Sequence, residues 1–309
     1  MKNVLILGGT GFIGKYLAES LKQEYGVFIY GRTDPHNDTP FLTGNYIRET
    51  EFERLLNERK IDLIYHLVST TIPKEDTSDI VREAEDNLLP TLRLLEAMRK
   101  TGTARLIFVS SGGTVYGESN GRPHLVSDDC APICGYGMQK LVIEQYLNFY
   151  RRRYNLDCRI ARLSNPYGVP PKKPRGQGII PIFLDRLRNG QGITLYGDTV
   201  RDYIHIDDAV EALHRFADYT GDRYCLNIGS GRPVRLSELV GLIETTTGKR
   251  FVSVTHDSIR KCDVEESILD ISETVRTLQW CPKIGLEDGI QRTWTEMTGR
   301  KTGYMSSCV

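Results

Sequence analysis

The sequence has no excess of charge of either sign. Its 309 residues include 40 Lys and Arg and 40 Asp and Glu, so the formal net charge at pH 7 is zero. A protein that binds nucleic acid normally carries a cluster of positive charge that displaces counterions from the phosphates. The charge balance therefore argues against a nucleic-acid partner, and it gives no support for polybasic attachment to a membrane.

Long hydrophobic runs are also missing. No stretch approaches the ~18 consecutive apolar residues of a membrane-spanning helix. The apolar run that opens the chain ends at Gly8, so it is shorter than the ~7–15 residues of a signal-peptide core. We therefore expect a cytoplasmic protein without membrane contact.

The cysteines follow no regular spacing. Cys130 and Cys134 are four residues apart, but no second pair lies at zinc-ligand spacing. The six histidines are scattered singly. These patterns predict reduced thiols and no metal ion in the functional site.

What the sequence does have is an alternation of short β-rich runs with longer helical patterns. Apolar runs predict strands at 4–7, 27–30, 61–67 and 106–109. Helical spacing predicts helices at 16–21, 51–57, 87–98 and 139–153. This order is typical of βαβ units, and therefore of a doubly wound α/β parallel sheet with helices on both faces. Ligands of such sheets bind beyond the carboxyl ends of the strands.

The composition changes after residue 164, where prolines and glycines become frequent. Short helices are predicted beyond this stretch, at 208–217 and 236–246. We expect a dinucleotide-binding domain at 1–165 and a smaller mixed α/β domain at 166–309. The second domain should supply most substrate contacts, and its chain should cross back to the sheet.

Three glycines follow the first predicted strand and lead into the first helix. Gly8, Gly11 and Gly14 meet the needs of a tight turn, a close approach to a pyrophosphate and close helix–strand packing. The helix N-terminus behind them offers free N–H groups and a positive dipole. The sequence thus predicts a dinucleotide site of the Rossmann type.

The choice between NAD and NADP depends on the end of the second strand. An acid there would bind the adenosine ribose, but this chain has Arg32. A guanidinium suits a 2′-phosphate, which favours NADP. Arg32 could instead stack on adenine or face solvent, so NAD remains open.

A phenol and an ammonium group lie four residues apart at Tyr136 and Lys140, which places them on one face of a helix. A phenol is a poor base at pH 7 because its pKa is near 10. A nearby Lys⁺ and the cation of an oxidised nicotinamide both favour phenolate and lower that pKa. We therefore expect Tyr136 to act as an acid–base group with Lys140 beside it.

With these motifs together, the chain resembles the extended short-chain dehydrogenase/reductase family, and within it the nucleotide-sugar epimerases. The resemblance covers nearly the whole length. Besides the glycine motif and the Tyr136/Lys140 pair, it includes residues 65–67, 87–92, 110–117, 165–168, 197–198, 201–208, 227–231 and 278–283.

The resemblance implies a role for each matching position. Tyr136 would be the base, and Lys140 would tune its pKa and bind ribose. The other implied cofactor contacts of NAD or NADP are Gly8, Gly11, Phe12, Ile13, Gly14, Arg32, Asn45, Tyr46, Leu67, Ser69, Asn87 and Ser110. The implied substrate contacts are Asn165, Arg201, Tyr203, Arg260, Asp263 and Ser267. The implied substrate is a nucleotide sugar, most often UDP-linked.

One position departs from the epimerase pattern. Gly112 stands where these enzymes usually have a catalytic Ser or Thr. Ser111 lies one residue before Gly112 and Thr114 two residues after it, and we favour Ser111. The Asp-Glu pair of nucleotide-sugar dehydratases is replaced by Gly113 and Thr114, which argues against that reaction.

The resemblance therefore predicts a UDP-sugar 4-epimerase that works through a 4-keto sugar. The alternative is an NADPH-dependent reductase of a nucleotide-linked 4-keto-6-deoxysugar, which Arg32 and Gly112 favour; a non-enzymatic NADP sensor on the same fold is a third hypothesis. In these epimerases, a large residue four positions after Asp263 excludes an N-acetyl group. The small Ser267 predicts that UDP-N-acetylhexosamines are accepted.

Family members commonly form homodimers through the helix of the catalytic pair and the helix before it. We expect a homodimer here. Its apolar candidates are Leu88, Leu95, Leu141 and Tyr146, each of which could equally belong to the core.

Overall fold

The computed structural model describes residues 1–35, 38–71, 80–102, 105–170 and 178–299. Its helices are α1 Phe12–Leu21, α2 Phe52–Glu58, α3 Ile80–Glu83, α4 Leu89–Thr101, α5 Gly135–Tyr154, α6 Ile179–Arg188, α7 Ile206–Asp218, α8 Leu236–Thr247, α9 Ser272–Leu278 and α10 Leu286–Thr298. Its strands are β1 Asn3–Leu7, β2 Gly26–Gly31, β3 Phe41–Thr43, β4 Ile61–His66, β5 Arg105–Ser111, β6 Cys158–Leu163, β7 Asn165–Tyr167, β8 Ile193–Tyr196, β9 Val200–His205, β10 Cys225–Ile228, β11 Pro233–Arg235, β12 Val254–Asp257 and β13 Glu266–Ser267.

A parallel sheet forms the centre of the fold. Within the described residues its strand order is β10-β6-β5-β4-β1-β2-β3. The order reverses next to β1, so the first βα turn lies at the switch point where open α/β sheets bind ligands. The predicted Rossmann-type α/β fold is confirmed.

Both faces of the sheet are covered, as the continuous apolar strands predict. In β1, Val4 and Ile6 join a core with α1 and α7. Leu5 and Leu7 join a second core on the opposite face, against α2, α4 and α5. Because successive strand residues alternate between faces, a strand without polar residues is buried on both sides.

The second half of the chain contributes to the sheet as well as to a smaller unit. Strand β10 pairs with β6 in parallel, and α7 packs on the face that α1 also covers. The smaller unit contains the sheet β11-β9-β13, with β7 paired to β9. Its core lies between α6, α8 and α10.

The helix that carries Tyr136 and Lys140 begins earlier than the sequence pattern predicts. Helix α5 starts at Gly135 rather than at residue 139, because Cys134 caps it: the Cys134 Sγ accepts a hydrogen bond from Gly137 N at 3.4 Å. This early start places Tyr136 in the first turn, next to the carboxyl ends of the strands.

Two further observations bear on the expectations from composition. In the described part of the chain, every helix is too short or too polar to span a bilayer. Within the described ranges, five cysteines form no disulfide: Cys130, Cys134, Cys158, Cys225 and Cys281.

Candidate functional site

The glycine turn after β1 has the shape of a phosphate cradle. Gly8 adopts a left-handed φ of 87°. A Cβ on Gly14 would lie 2.4 Å from Gly8 O, so only glycine permits this approach of helix and turn. Gly11 is the N-cap of α1 and offers no side-chain cap. The first N–H groups of a helix lack intrahelical acceptors, so those of Phe12 and Ile13 suit a pyrophosphate.

The predicted adenosine side lies beyond β2. Arg32 is exposed directly after this strand. Asn45 Oδ1 accepts a hydrogen bond from Ile47 N at 3.2 Å and caps a short 3₁₀ helix. The Tyr46 side chain is buried, and its hydroxyl bonds His66 Nε2 at 2.6 Å. If Tyr46 contacts a cofactor, it therefore does so through its backbone atoms, because its side chain is buried.

The segment that follows β4 is held by Asn87. Its Oδ1 accepts from Thr70 N at 2.9 Å, and its Nδ2 donates to Thr70 Oγ1 at 2.7 Å. Ser69 is exposed and donates to Thr71 O, while Leu67 N donates to Leu7 O at 3.0 Å. The buried Asn87 amide therefore fixes the loop that carries Leu67 and Ser69, and its own polar atoms bind protein.

Tyr136, Lys140 and Ser111 come together at the carboxyl end of β5. The Ser111 hydroxyl lies near enough to the Tyr136 phenol to favour its ionised form. Lys140 is buried, with its Nζ donating to Val109 O at 3.0 Å. The same Nζ lies 5.7 Å from the Tyr136 ring centroid. This arrangement fits an acid–base phenol with a hydroxyl partner on one side and a cation on the other.

Burial opposes ionisation of both groups. It raises the pKa of Tyr136 to about 12, although the Ser111 hydrogen bond acts in the opposite direction. Burial lowers the pKa of Lys140 to about 8, partly offset by the Glu144 carboxylate. Desolvation is therefore the largest influence on the phenol in the protein without its cofactor. The prediction that Lys140 and an oxidised nicotinamide together lower this pKa concerns the protein with its cofactor bound.

The structure separates the candidate hydroxyls near Gly112. Thr114 Oγ1 is buried and has no hydrogen-bond partner in the described structure, whereas Ser111 meets Tyr136. A Cβ on Gly112 would lie 2.5 Å from Leu269 Cδ1. Leu269 thus occupies the volume that a Ser or Thr at this position would need.

Ser110 faces away from the phenol. Its hydroxyl donates to Glu144 Oε1 in the buried layer between β5 and α5. Glu144 is in turn paired with Arg162 at 2.8 Å. Because the Ser110 hydroxyl already donates to Glu144, a cofactor contact at Ser110 would come from the Ser110 backbone.

The predicted substrate contacts Asn165, Arg201, Tyr203 and Ser267 lie on strands of the smaller unit. Asn165 Nδ2 donates to Asp202 O at 2.9 Å. A Cβ placed on Gly113 would lie 4.0 Å from the Asn165 side-chain amide. Asn165 also pairs in register with Tyr203 across β7 and β9. Tyr203 is buried in the core of the smaller unit, which raises its pKa to about 12.

Arg201 sits at the centre of this side. Its guanidinium donates to Val264 O at 2.7 Å and to Val200 O at 2.9 Å. Burial lowers the pKa of Arg201, while the Asp263 carboxylate supports its charge. Ser267 is buried and pairs with Arg201 across β13 and β9. The structure thus brings Arg201, Asp263 and Ser267 together.

Arg260 lies at the rim of the same unit. Its guanidinium stacks over the Tyr196 ring at 4.0 Å, and its carbonyl accepts from Asp263 N at 3.0 Å. The turn from Arg260 to Asp263 therefore connects the rim to the Arg201 cluster. A stacked guanidinium keeps donors free for a phosphate.

Two residues that organise the site were missed from the sequence. Asp202 is fully buried and accepts from Ser230 N at 2.8 Å and Gly231 N at 3.1 Å, which fixes the loop after β10. Cys134 caps α5 beside Tyr136. For Cys134 the available signal is its place just before a helical pattern, where a polar residue normally caps the helix; cysteine is an unusual cap. Asp202 lies inside the 201–208 motif, but that motif did not mark it as a residue that organises the site.

The comparisons with known proteins agree with this geometry. Residues 4–229 match the NAD dependent epimerase/dehydratase family. The dTDP-4-dehydro-6-deoxyglucose reductase of Escherichia coli is 32% identical over 303 residues, covering 94% of this chain and 95% of that protein.

Two solved structures are similar over nearly their whole length. The UDP-glucose 4-epimerase of Thermotoga maritima with UDP-glucose has a TM-score of 0.89 and 31% identity, covering 96% of this chain and 99% of that chain. The UDP-glucose 4-epimerase of Thermus thermophilus with NAD has a TM-score of 0.88 and 29% identity, covering 97% and 100%. The chain belongs to the NAD-dependent epimerase/dehydratase family.

Burial of Lys140 predicts a pH-dependent cost in stability. Its pKa falls from an ordinary 10.5 to about 8 on folding, so the unfolded chain holds more protons between these values and stability rises with pH there. We expect Lys140→Met to be more stable than the parent at pH 7, by about 2–3 kcal/mol. The advantage should shrink from pH 8 to 10.5.

Urea unfolding of both proteins across pH 7–10 measures this difference. Lys22→Met is the matched control, because Lys22 forms an exposed ion pair with Glu19 and should shift stability by less than about 1 kcal/mol. A difference between Lys140→Met and the parent that does not change with pH would contradict the assignment.

Proposed function

We propose that this protein is a nucleotide-sugar 4-epimerase that uses NAD and acts on UDP-linked hexoses and N-acetylhexosamines. The observation that carries the proposal is the position of the Tyr136 phenol, with the Ser111 hydroxyl beside it and the Lys140 ammonium 5.7 Å from its ring centroid. The group lies at the carboxyl end of β5, in the same parallel sheet in which the glycine turn follows β1. The two UDP-glucose 4-epimerase structures, one with UDP-glucose and one with NAD, support the same assignment.

Each residue of the group has a role in proton movement. Tyr136 accepts the proton of the sugar 4-hydroxyl and later returns it to the 4-oxygen. Ser111 lies beside the phenol, favours its ionised form and can share the proton. A bound nicotinamide ring supplies the hydride acceptor and donor, and its positive charge when oxidised adds to Lys140 in favouring the phenolate.

The substrate side explains how both faces of the sugar can be reached. Arg201 and Arg260 offer guanidinium groups to the diphosphate, because planar forks bind phosphate oxygens in pairs. Binding energy placed on the nucleotide leaves the sugar ring free to turn. Asn165 and Asp263 lie close enough to Arg201 to contact the same ligand.

Product analysis tests the proposal. Purified protein incubated with UDP-galactose should form UDP-glucose, and with UDP-N-acetylgalactosamine it should form UDP-N-acetylglucosamine, without net consumption of coenzyme. Tyr136→Phe should abolish turnover and still bind the coenzyme. Full activity of that variant would contradict the role of the phenol.

The two hydroxyls near Gly112 give a matched pair of variants. Ser111→Ala should lower kcat by ~10²-fold, the lower end for loss of an acid–base group. Thr114→Val should stay within about threefold of the parent, because Thr114 Oγ1 has no partner in the described structure. Steady-state kinetics with UDP-galactose measure both, and the reverse order of effects would transfer the role to Thr114.

Ser267 tests the substrate range. It is buried beside Arg201, so a larger side chain should fill the space next to the sugar. We expect Ser267→Tyr to lower kcat/KM for UDP-N-acetylglucosamine by at least tenfold and to change that for UDP-glucose by less than threefold. Equal losses for both substrates would mean that Ser267 does not face carbon 2.

A second candidate is a reductase of a nucleotide-linked 4-keto-6-deoxysugar with NADPH. The relative that favours it is the E. coli reductase at 32% identity, together with Gly112 in place of a hydroxyl. Oxidation of added NADPH by such a keto sugar, without interconversion of UDP-hexoses, would establish this reaction instead.

We also propose that the chain forms a homodimer through α4 and α5. Tyr146, Phe149 and Met138 expose apolar surface on α5, which a second copy can cover. Leu95 is fully buried and belongs to the core, so it takes no part in that surface.

A further inference from the structure

A group of three potential metal ligands lies at the amino-terminal edge of the sheet, away from the catalytic edge. Glu24 follows α1 and precedes β2, while His214 and Asp218 are four residues apart on α7. One ligand atom from each lies within 4.8 Å of the others. The group therefore joins the end of α1 to the end of α7.

The spacing of these atoms suits an ion better than a hydrogen bond. His214 Nε2 is 3.6 Å from Glu24 Oε2 and 3.8 Å from Asp218 Oδ2. Both distances exceed the ~3.2 Å of an ordinary N–H···O bond. Ligand atoms held tetrahedrally at ~2.0–2.2 Å from zinc are about 3.3–3.6 Å apart.

The imidazole nitrogen that faces the carboxylates has no other use in the described structure. His214 Nε2 is inaccessible to solvent and has no hydrogen-bond partner. A buried polar atom without a partner is costly, and here it points between two carboxylates. A cation between the three groups would satisfy the nitrogen and both negative charges at once.

Neighbouring side chains orient two of the three ligands. Ser20 Oγ lies 3.5 Å from His214 Nδ1, the ring nitrogen that does not face the carboxylates. The Tyr25 hydroxyl donates to Asp218 Oδ1, the carboxylate oxygen that does not face the imidazole. Such outer contacts fix ring and carboxylate orientation at protein metal sites.

We propose that Glu24, His214 and Asp218 form a binding site for a divalent transition metal, with zinc as the ion that this ligand set fits. One imidazole and two carboxylates suit zinc better than calcium or magnesium, which prefer oxygen ligands alone. A water completes the tetrahedron around the ion, and the ion ties the helix that begins at the glycine turn to the helix that covers the same face of the sheet. It takes no part in the proposed reaction.

Zinc titration of the metal-free protein tests this site. Full-length protein dialysed against chelator, with Cys281 and Cys308 replaced by Ser to remove thiols outside the site, is titrated with ZnCl₂ by calorimetry. We expect one tight equivalent, and at least tenfold weaker binding in His214→Gln. His256→Gln is the matched control, because His256 is exposed on β12, and it should bind zinc as the parent does.

A second variant guards against misfolding of His214→Gln, since His214 also packs against the Tyr25 ring. Glu24 is largely exposed, so Glu24→Gln should fold normally and still lose at least fivefold in zinc affinity. Zinc should raise the Tm of the parent and of His256→Gln, but not that of His214→Gln. Equal zinc affinity in the parent and both ligand variants would show an adventitious ion only and would overturn the proposal, as would the absence of tight binding.

Discussion

The burial of one ammonium group constrains the packing of α5 on the sheet. Lys140 is only 4% exposed, and its Nζ donates to Val109 O and lies over the Phe108 ring, 4.6 Å from the ring centroid. Because an unpaired buried charge is costly, the surrounding chain must supply dipoles and counter-charge. Helix α5 is therefore fixed against β5, and Glu144, one turn further along the helix, supports the cation from within the same layer.

The same constraint explains the polar network behind the site. Glu144 is nearly fully buried and is paired with Arg162, which also donates to the Tyr116 hydroxyl at 2.9 Å. Tyr116 in turn donates to Asn227 Oδ1 at 2.6 Å. A chain of satisfied hydrogen bonds thus connects α5 with β6 and β10, behind the proposed site.

Local features of this site could be predicted from sequence, and long-range ones could not. The glycine turn depends on contacts between residues close in sequence, such as Gly14 and Gly8 O. The Tyr136–Lys140 pair depends only on the four-residue spacing along one helix. The choice of hydroxyl depends on Leu269, which fills the space beside Gly112 from a distant segment. The burial of Tyr46 depends on His66, and the Glu24–His214 pair is made only by the packing of α1 on α7.

The coenzyme that the purified protein retains tests the central claim most directly. The protein is denatured with nothing added, and the released nucleotide is identified and quantified against the protein. An epimerase that regenerates its own coenzyme should release close to one equivalent of NAD or NADH. An empty site that binds NADPH much more tightly than NADH would contradict this account and identify the protein as a reductase.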